Sequence, residues 1–219
     1  MTVRIPIAVE TTPKKVFASA IDWPGWSRSA KTLPAALDVL AGYLDRYAVV
    51  ARAAGEAFPS GDVEIEIIET GEGGSGTEFG VPSRVTDADR RPTTVAEADR
   101  LARIVAAAWA RFEDIAAGAP EELRKGPRGG GRDTAKIVGH VVESDWYYAR
   151  EIGVRAKPPT RDDAAAVGTM RAAMLQVLRR PSDGSPLADR RWTTRYAAHR
   201  IAWHALDHAW EIEDRSEPR

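Results

Sequence analysis

The hydrophobic positions of this chain change period once along its length. Over the first ~70 residues apolar and polar side chains alternate, and over the last ~125 the apolar positions recur every three to four residues. Val3, Ile5, Ile7 and Val9 alternate with polar or small residues and predict a strand, which Pro6 would place at a sheet edge. Thr12-Pro13-Lys14 predicts a turn, and Lys15 to Asp22 a second strand, so the pair forms a hairpin. Pro24-Gly25 then breaks the chain. A helix is predicted from Leu33 to Ala54, with Thr32 as N-cap, Pro34 in the first turn and Gly55 as the stop. Its apolar stripe is Leu37, Leu40, Leu44, Tyr47 and Val50. Val63, Ile65 and Ile67 alternate with Glu64 and Glu66 and predict a third strand with one wet face.

The glycine-rich stretch Gly71 to Gly76 lacks the Lys-Ser/Thr of a phosphate loop and reads as a flexible turn. Phe79 to Val85 predicts one more short strand. A polar segment, Asp87 to Pro92, marks a boundary between two units, 1–90 and 91–219. Beyond it four amphipathic helices are predicted. They run from Val95 to Ala117 with Thr94 as cap, from Thr134 to Ile152, from Arg161 to Leu178 and from Thr193 to Asp214. Loops separate them at 126–131, around Pro158-Pro159 and at Pro181 to Ala188. The expected fold class is α+β: a small N-terminal sheet with one helix in the order β-β-α-β, then an antiparallel four-helix bundle.

Composition narrows the chemistry more than the fold. The chain has 219 residues, 43% hydrophobic and 29% charged, which is ordinary for a globular protein. Its formal charge of −1 provides no electrostatic pull toward nucleic acid, so a nucleic-acid partner is not expected. There is no cysteine, which excludes disulfides, thiolate metal sites and a cysteine nucleophile. The N-terminus shows no apolar signal segment and no run is long enough to span a bilayer, so no membrane partner and a cytoplasmic location are expected.

All four histidines lie in the helical part, and two of them are spaced His204-x3-His208. Residues four apart share a helical face, so two imidazoles at this spacing can bind one divalent ion. His140 stands in a second helix. Three histidines from two helices would leave a coordination position for water or a substrate atom. The other reading of the same residues is three hydrogen-bonded histidines in a bundle core. His199 is five residues before His204, about 140° around the helix, and points elsewhere. Glu143, one turn beyond His140, is the candidate proton acceptor for catalysis, and Asp207 a candidate to orient His208; both also read as solvated helix charges. Trp146 and Tyr147 follow His140, and Trp192, Trp203 and Trp210 flank the HxxxH pair. They line either a pocket for substrate or cofactor, or the bundle core. Trp23 and Trp26, around Pro24-Gly25, belong to the small sheet or to the junction between the regions.

The segments Gly139-His140-Val141-Val142-Glu143 and His204-Ala205-Leu206-Asp207-His208 carry a resemblance. From Pro92 to Arg215 the chain resembles the DinB/YfiT-like superfamily of metal-binding four-helix bundles. The resemblance implies one divalent metal, zinc or nickel, held by His140, His204 and His208. It also implies activity as a thiol-dependent transferase or isomerase, with a low-molecular-weight thiol and a small electrophile as partners. Bundles of this kind also pair through an apolar helix face, so a homodimer is one arrangement the sequence allows. Phe17 to Trp26, followed by Ser29 to Leu37, resembles the HicB-like antitoxin fold, with Trp26 where that family has a small residue. No DNA-binding tail follows, so the resemblance implies an architecture, and with it an alternative function: a non-catalytic binding or regulatory module with a structural metal and a protein partner.

Overall fold

The computed structural model describes residues 3–59, 63–126 and 130–216. Strands β1 (Val3–Thr11) and β2 (Val16–Ala20) form the expected hairpin, closed where the Thr12 N–H donates to the Lys15 carbonyl at 2.8 Å. β3 (Ser27–Ala30) pairs with β2, and β4 (Val63–Glu72) with β1. The sheet order is β3-β2-β1-β4, antiparallel except for the β1–β4 pair. Parallel neighbours need a crossover, and α1 (Leu33–Gly42) with α2 (Leu44–Ala53) supplies it.

Strand β1 is therefore interior, not an edge. Pro6 is accommodated because β2 ends its ladder at Ala20, opposite Ile7. Beyond that point the Pro6 carbonyl accepts from the Ile21 N–H at 3.0 Å. The N–H that proline lacks would have bonded the Ile21 carbonyl. That carbonyl is instead hydrogen-bonded to His199 Nε2 at 2.9 Å.

Strand β3 was not predicted, because Ser-Arg-Ser-Ala has no apolar alternation. Pairing with β2 and the turn before it create the strand. In that turn Gly25 has φ +92°, and a Cβ there would lie 2.9 Å from Ala202 Cβ. Glycine is required twice, for the left-handed backbone and for close approach to the last helix. Trp26 is buried and its indole N–H donates to the Leu40 carbonyl at 3.0 Å. The helix predicted from 33 to 54 is broken at Tyr43, with φ −97° and ψ 4°. Tertiary contacts set this break: the Tyr43 ring packs edge-on against Trp210 at 4.8 Å, and its hydroxyl bonds Asp214 at 3.2 Å. Thr32 caps α1 as expected, accepting from the Ala35 N–H.

The glycine stretch is not a free turn. β4 runs through Gly71 and Glu72, and Ser75–Phe79 is a short helix, α3. The strand expected from Phe79 to Val85 is absent as well. That segment is irregular because its N–H groups serve a buried carboxylate: Ser83 and Arg84 donate to Glu10 at 3.0 and 2.7 Å, and Thr77 Oγ1 donates at 3.1 Å.

The helical region is α4 (Val95–Gly118), α5 (Thr134–Glu151), α6 (Ala164–Leu178) and α7 (Thr194–Ser216), packed as a bundle. Thr94 and Glu97 close a reciprocal capping box on α4. α6 starts later than expected because Asp163 caps it, accepting from the Ala166 N–H. The glycine loop expected at 126–131 lies in part outside the described residues. One apolar cluster runs from Ile5 in β1 to Ile212 in α7, so the sheet and the bundle share a core. Thr93 pairs with Ser182, and Thr193 Oγ1 donates to the Asp89 carbonyl, which fastens the 87–93 segment to the start of α7. Among the described residues no helix is long and apolar enough to cross a membrane.

Candidate metal centre

α5 delivers His140 and α7 delivers His204 and His208 to one place. The three ring centroids lie 4.7 to 5.0 Å apart, and each imidazole meets the others edge-on. One nitrogen from each ring lies within 4.8 Å of the other two. His140 Nε2 and His204 Nε2 are 3.3 Å apart. Two ligands at the usual Zn–N length of about 2.0–2.1 Å, set at a tetrahedral angle, stand about 3.3 Å apart. His208 Nδ1 is paired with Glu211 Oε2 at 2.9 Å, and Arg215 holds the other Glu211 oxygen at 2.7 Å. Glu211 thus fixes the Nδ1–H tautomer and leaves His208 Nε2 with its lone pair free for a metal.

The electrostatics favour the neutral, ligating form. Burial, then His208 and Arg132, push His140 down to about 4. Burial, then His208, Arg200 and His140, hold His204 well below the ordinary imidazole value. Metal ligation requires deprotonated imidazoles, the form that burial favours at His140 and His204. His204 is 6% exposed, while His140 and His208 are half-buried. The donor set of three imidazole nitrogens suits zinc or nickel, and among the described residues no fourth protein ligand joins the group. His204 Nδ1 is buried without a hydrogen-bond partner among the described residues.

Other residues singled out in the sequence fall in different places. Glu143 is exposed and has no hydrogen bond or ion pair to the triad among the described residues. Asp207 turns away from His208 and pairs with Arg28 at 2.9 Å, joining the bundle to β3. Glu211, at i,i+3 from His208, orients the imidazole instead; its spacing was the signal in the sequence. Tyr147 points outward and is 50% exposed. Trp146 packs against Tyr147 at 4.9 Å and donates its indole N–H to the Ala156 carbonyl. The aromatic rings that reach the triad are Tyr148, edge-on to His204 at 5.5 Å, and Trp203, tilted against His204 at 6.1 Å. Tyr148 is backed by Trp192 at 5.2 Å. Trp203 and Trp210 are buried in the core. Trp23 and Trp26 pack with Tyr47 and Phe58, and Arg100 of α4 lies over Trp23 at 4.6 Å.

A second polar cluster went unnoticed in the sequence. Asp145 of α5 accepts from Trp109 Nε1 of α4 at 3.2 Å, and from Arg171 of α6 at 2.9 Å (Nε) and 2.8 Å (Nη2). Arg171 also reaches Glu113. Burial raises the Asp145 carboxyl to about 6 against the lowering pull of Arg171, which leaves it ionised at neutral pH. No local spacing signals this group, since its members come from three helices.

These observations define an α+β protein whose helical region carries a three-histidine group able to hold a divalent metal ion. No protein-family model matches the chain, and no curated protein or solved structure shows significant similarity to it.

Proposed function

We propose that His140, His204 and His208 hold one divalent metal, zinc or nickel, and that the bundle is an enzyme in which a low-molecular-weight thiol attacks a small electrophile. The observation that carries this reading is the 3.3 Å separation of His140 Nε2 and His204 Nε2, with Glu211 holding His208 in the tautomer a metal needs. Two neutral imidazoles sharing a single hydrogen bond could also sit at that distance. They would not by themselves call for a third imidazole and an oriented carboxylate behind it. When bound, the metal supplies a Lewis acid that lowers the pKa of a coordinated thiol or water. The thiol and the transferase or isomerase class rest on the DinB-like helix order and histidine placement. Glu143 is the proposed proton acceptor, supported by its place one turn from His140 on an exposed helix face. Trp146 and Tyr147, with Arg150 stacked on Trp146 at 5.1 Å, form the exposed aromatic surface proposed for the thiol carrier.

The test is elemental analysis of the purified protein beside its His140→Ala variant. About one equivalent of zinc or nickel in the wild type, lost in the variant, is expected; thiol-dependent consumption of a model electrophile should vanish with it. Wild-type stoichiometry in the variant would sink the ligand assignment. A second reading, a binding module with a structural metal, is favoured by β4, an edge strand whose outer side pairs with no strand among the described residues and whose Ile67 and Ile68 are exposed. Metal spectroscopy separates the two: a coordinated water exchangeable for added thiol marks an enzyme, and a closed shell marks a module.

A further inference from the structure

Outside the triad, the described residues enclose a cavity between β1, β2, the 82–89 segment and α7. None of the three triad histidines lines it. Its space is about 40 Å³, room for roughly three water-sized groups at 10–15 Å³ each. Ala8, Ile21 and Pro82 make its apolar wall, and Arg200 lines its α7 side.

Among the described residues Arg200 is the partly buried arginine that holds no carboxylate. Arg28, Arg84, Arg100, Arg171, Arg195 and Arg215 have side chains no more than 25% exposed, and each holds a carboxylate. Arg200 is also partly buried, yet it has no hydrogen bond or ion pair among the described residues. Its guanidinium lies over Trp203 at 4.8 Å and over Tyr148 at 5.1 Å, so both rings hold it in position. Its Nη1 is buried with no acceptor. A buried N–H of a charged group left without an acceptor is costly, so the position calls for one.

The other charged groups around the cavity are already engaged. Glu10 accepts from Thr77, Ser83 and Arg84. Asp89 accepts from the Thr86 hydroxyl and N–H. Arg84 faces Glu69 at 2.6 Å, in a contact angled too poorly to count as a hydrogen bond. His199 bonds the Ile21 carbonyl, and burial keeps its imidazole neutral. Tyr196 donates its hydroxyl to the Pro82 carbonyl. One unpaired cation therefore remains, flanked by two carboxylates that would repel a multiply charged anion.

We propose that this cavity binds a short monocarboxylate, with the acid group on the Arg200 guanidinium and the aliphatic tail against Ala8, Ile21 and Pro82. A guanidinium presents paired donors that match a carboxylate. The free guanidinium takes one carboxylate group, and the small apolar space admits a tail of a few carbons. The proposal does not depend on a metal in the triad.

Isothermal titration and saturation-transfer NMR with acetate, propionate, butyrate and hexanoate, each beside its primary amide, test it. The expected result is saturable binding of at least one acid, at least tenfold tighter than its amide. Arg200→Gln should weaken that acid tenfold or more, and Arg200→Lys, which keeps the charge but not the fork, should lie between. Metal content is measured in the same samples, and it should be unchanged in both variants. Loss of acid binding with metal retained therefore reports on the cavity alone. No saturable acid binding in the wild type, equal binding of acid and amide, or unchanged affinity in Arg200→Gln would each overturn the proposal.

Discussion

Two polar clusters lie inside the same helical bundle, and they are built on opposite principles. Around Asp145 every acceptor meets a donor: the Trp109 indole and the Arg171 guanidinium enclose its carboxylate, and Arg171 reaches on to Glu113. Around His204 the surplus runs the other way. Three imidazoles present nitrogens to one point, only one of them is oriented by a carboxylate, and His204 Nδ1 has no partner among the described residues. A cluster whose charges cancel and whose bonds are filled locks helices together. A cluster of converging imidazole nitrogens can hold a cation. The contrast separates two kinds of polar cluster in a bundle where both share α5.

The sharpest way to break this comparison is to remove one partner from each cluster. Asp145→Ala leaves the Arg171 guanidinium, 8% exposed, without its buried counter-ion. Urea unfolding should show a loss of about 3–5 kcal/mol, with metal stoichiometry unchanged in the protein that still folds. His204→Ala should behave in reverse. The metal-free variant should unfold near the wild-type apo midpoint. The stabilisation by added zinc, about 4 kcal/mol for a ligand at a thousand times its Kd, should disappear. Equal losses of stability in the two variants without metal would abolish the distinction.

A finer test touches only the orienting group. Glu211→Gln keeps the size of the side chain but weakens its hold on His208, and should lower metal affinity about tenfold to a hundredfold in a competition titration against a chelator. Glu143→Gln should leave affinity unchanged and lower turnover alone. The smallest effect is expected from Glu97, which is satisfied like Asp145 but lies at the surface. Hydrogen bonds from the Thr94 N–H, Arg195 and the Thr94 hydroxyl lower its carboxyl to about 2. Its folded value lies below the ordinary 4.5, so its contribution is complete above pH 4.5 and is lost as pH falls from there toward 2. Solvent screening keeps that contribution small. Glu97→Gln should lower the neutral plateau slightly and flatten the acid limb in this window, so that the two proteins converge as pH approaches 2.

How much was legible depends on whether the signal was local. The four long helices were readable from period and caps, with Thr94 and Thr32 placed correctly, because capping is decided within four residues. The triad was readable because two ligands lie one turn apart and the third sits in an adjacent helix of strong period. Glu211 was equally local and was passed over for Asp207, which neighbours His208 in sequence but lies about 100° from it around the helix. Strand β3 and the break at Tyr43 were not readable, since a β2 partner creates one and Trp210 with Asp214 the other. Pro6 misled for the same reason: its missing donor matters only if a neighbour needs it, and the Ile21 carbonyl is met by His199, 178 residues beyond Ile21.

The sequence by itself determined the α+β class, the helical region and the identity of the three histidines. These follow from periodicity, capping and spacing, whose range is a few residues. Tertiary structure alone decided that the sheet and the bundle share one core, that β1 lies inside the sheet and that Glu211 orients His208. It also decided that Asp145 is neutralised from another helix and that Arg200 is left without a partner. These depend on which side chains meet across long sequence separations. The free energy of such meetings comes from burial and from pairing charges that no local pattern encodes.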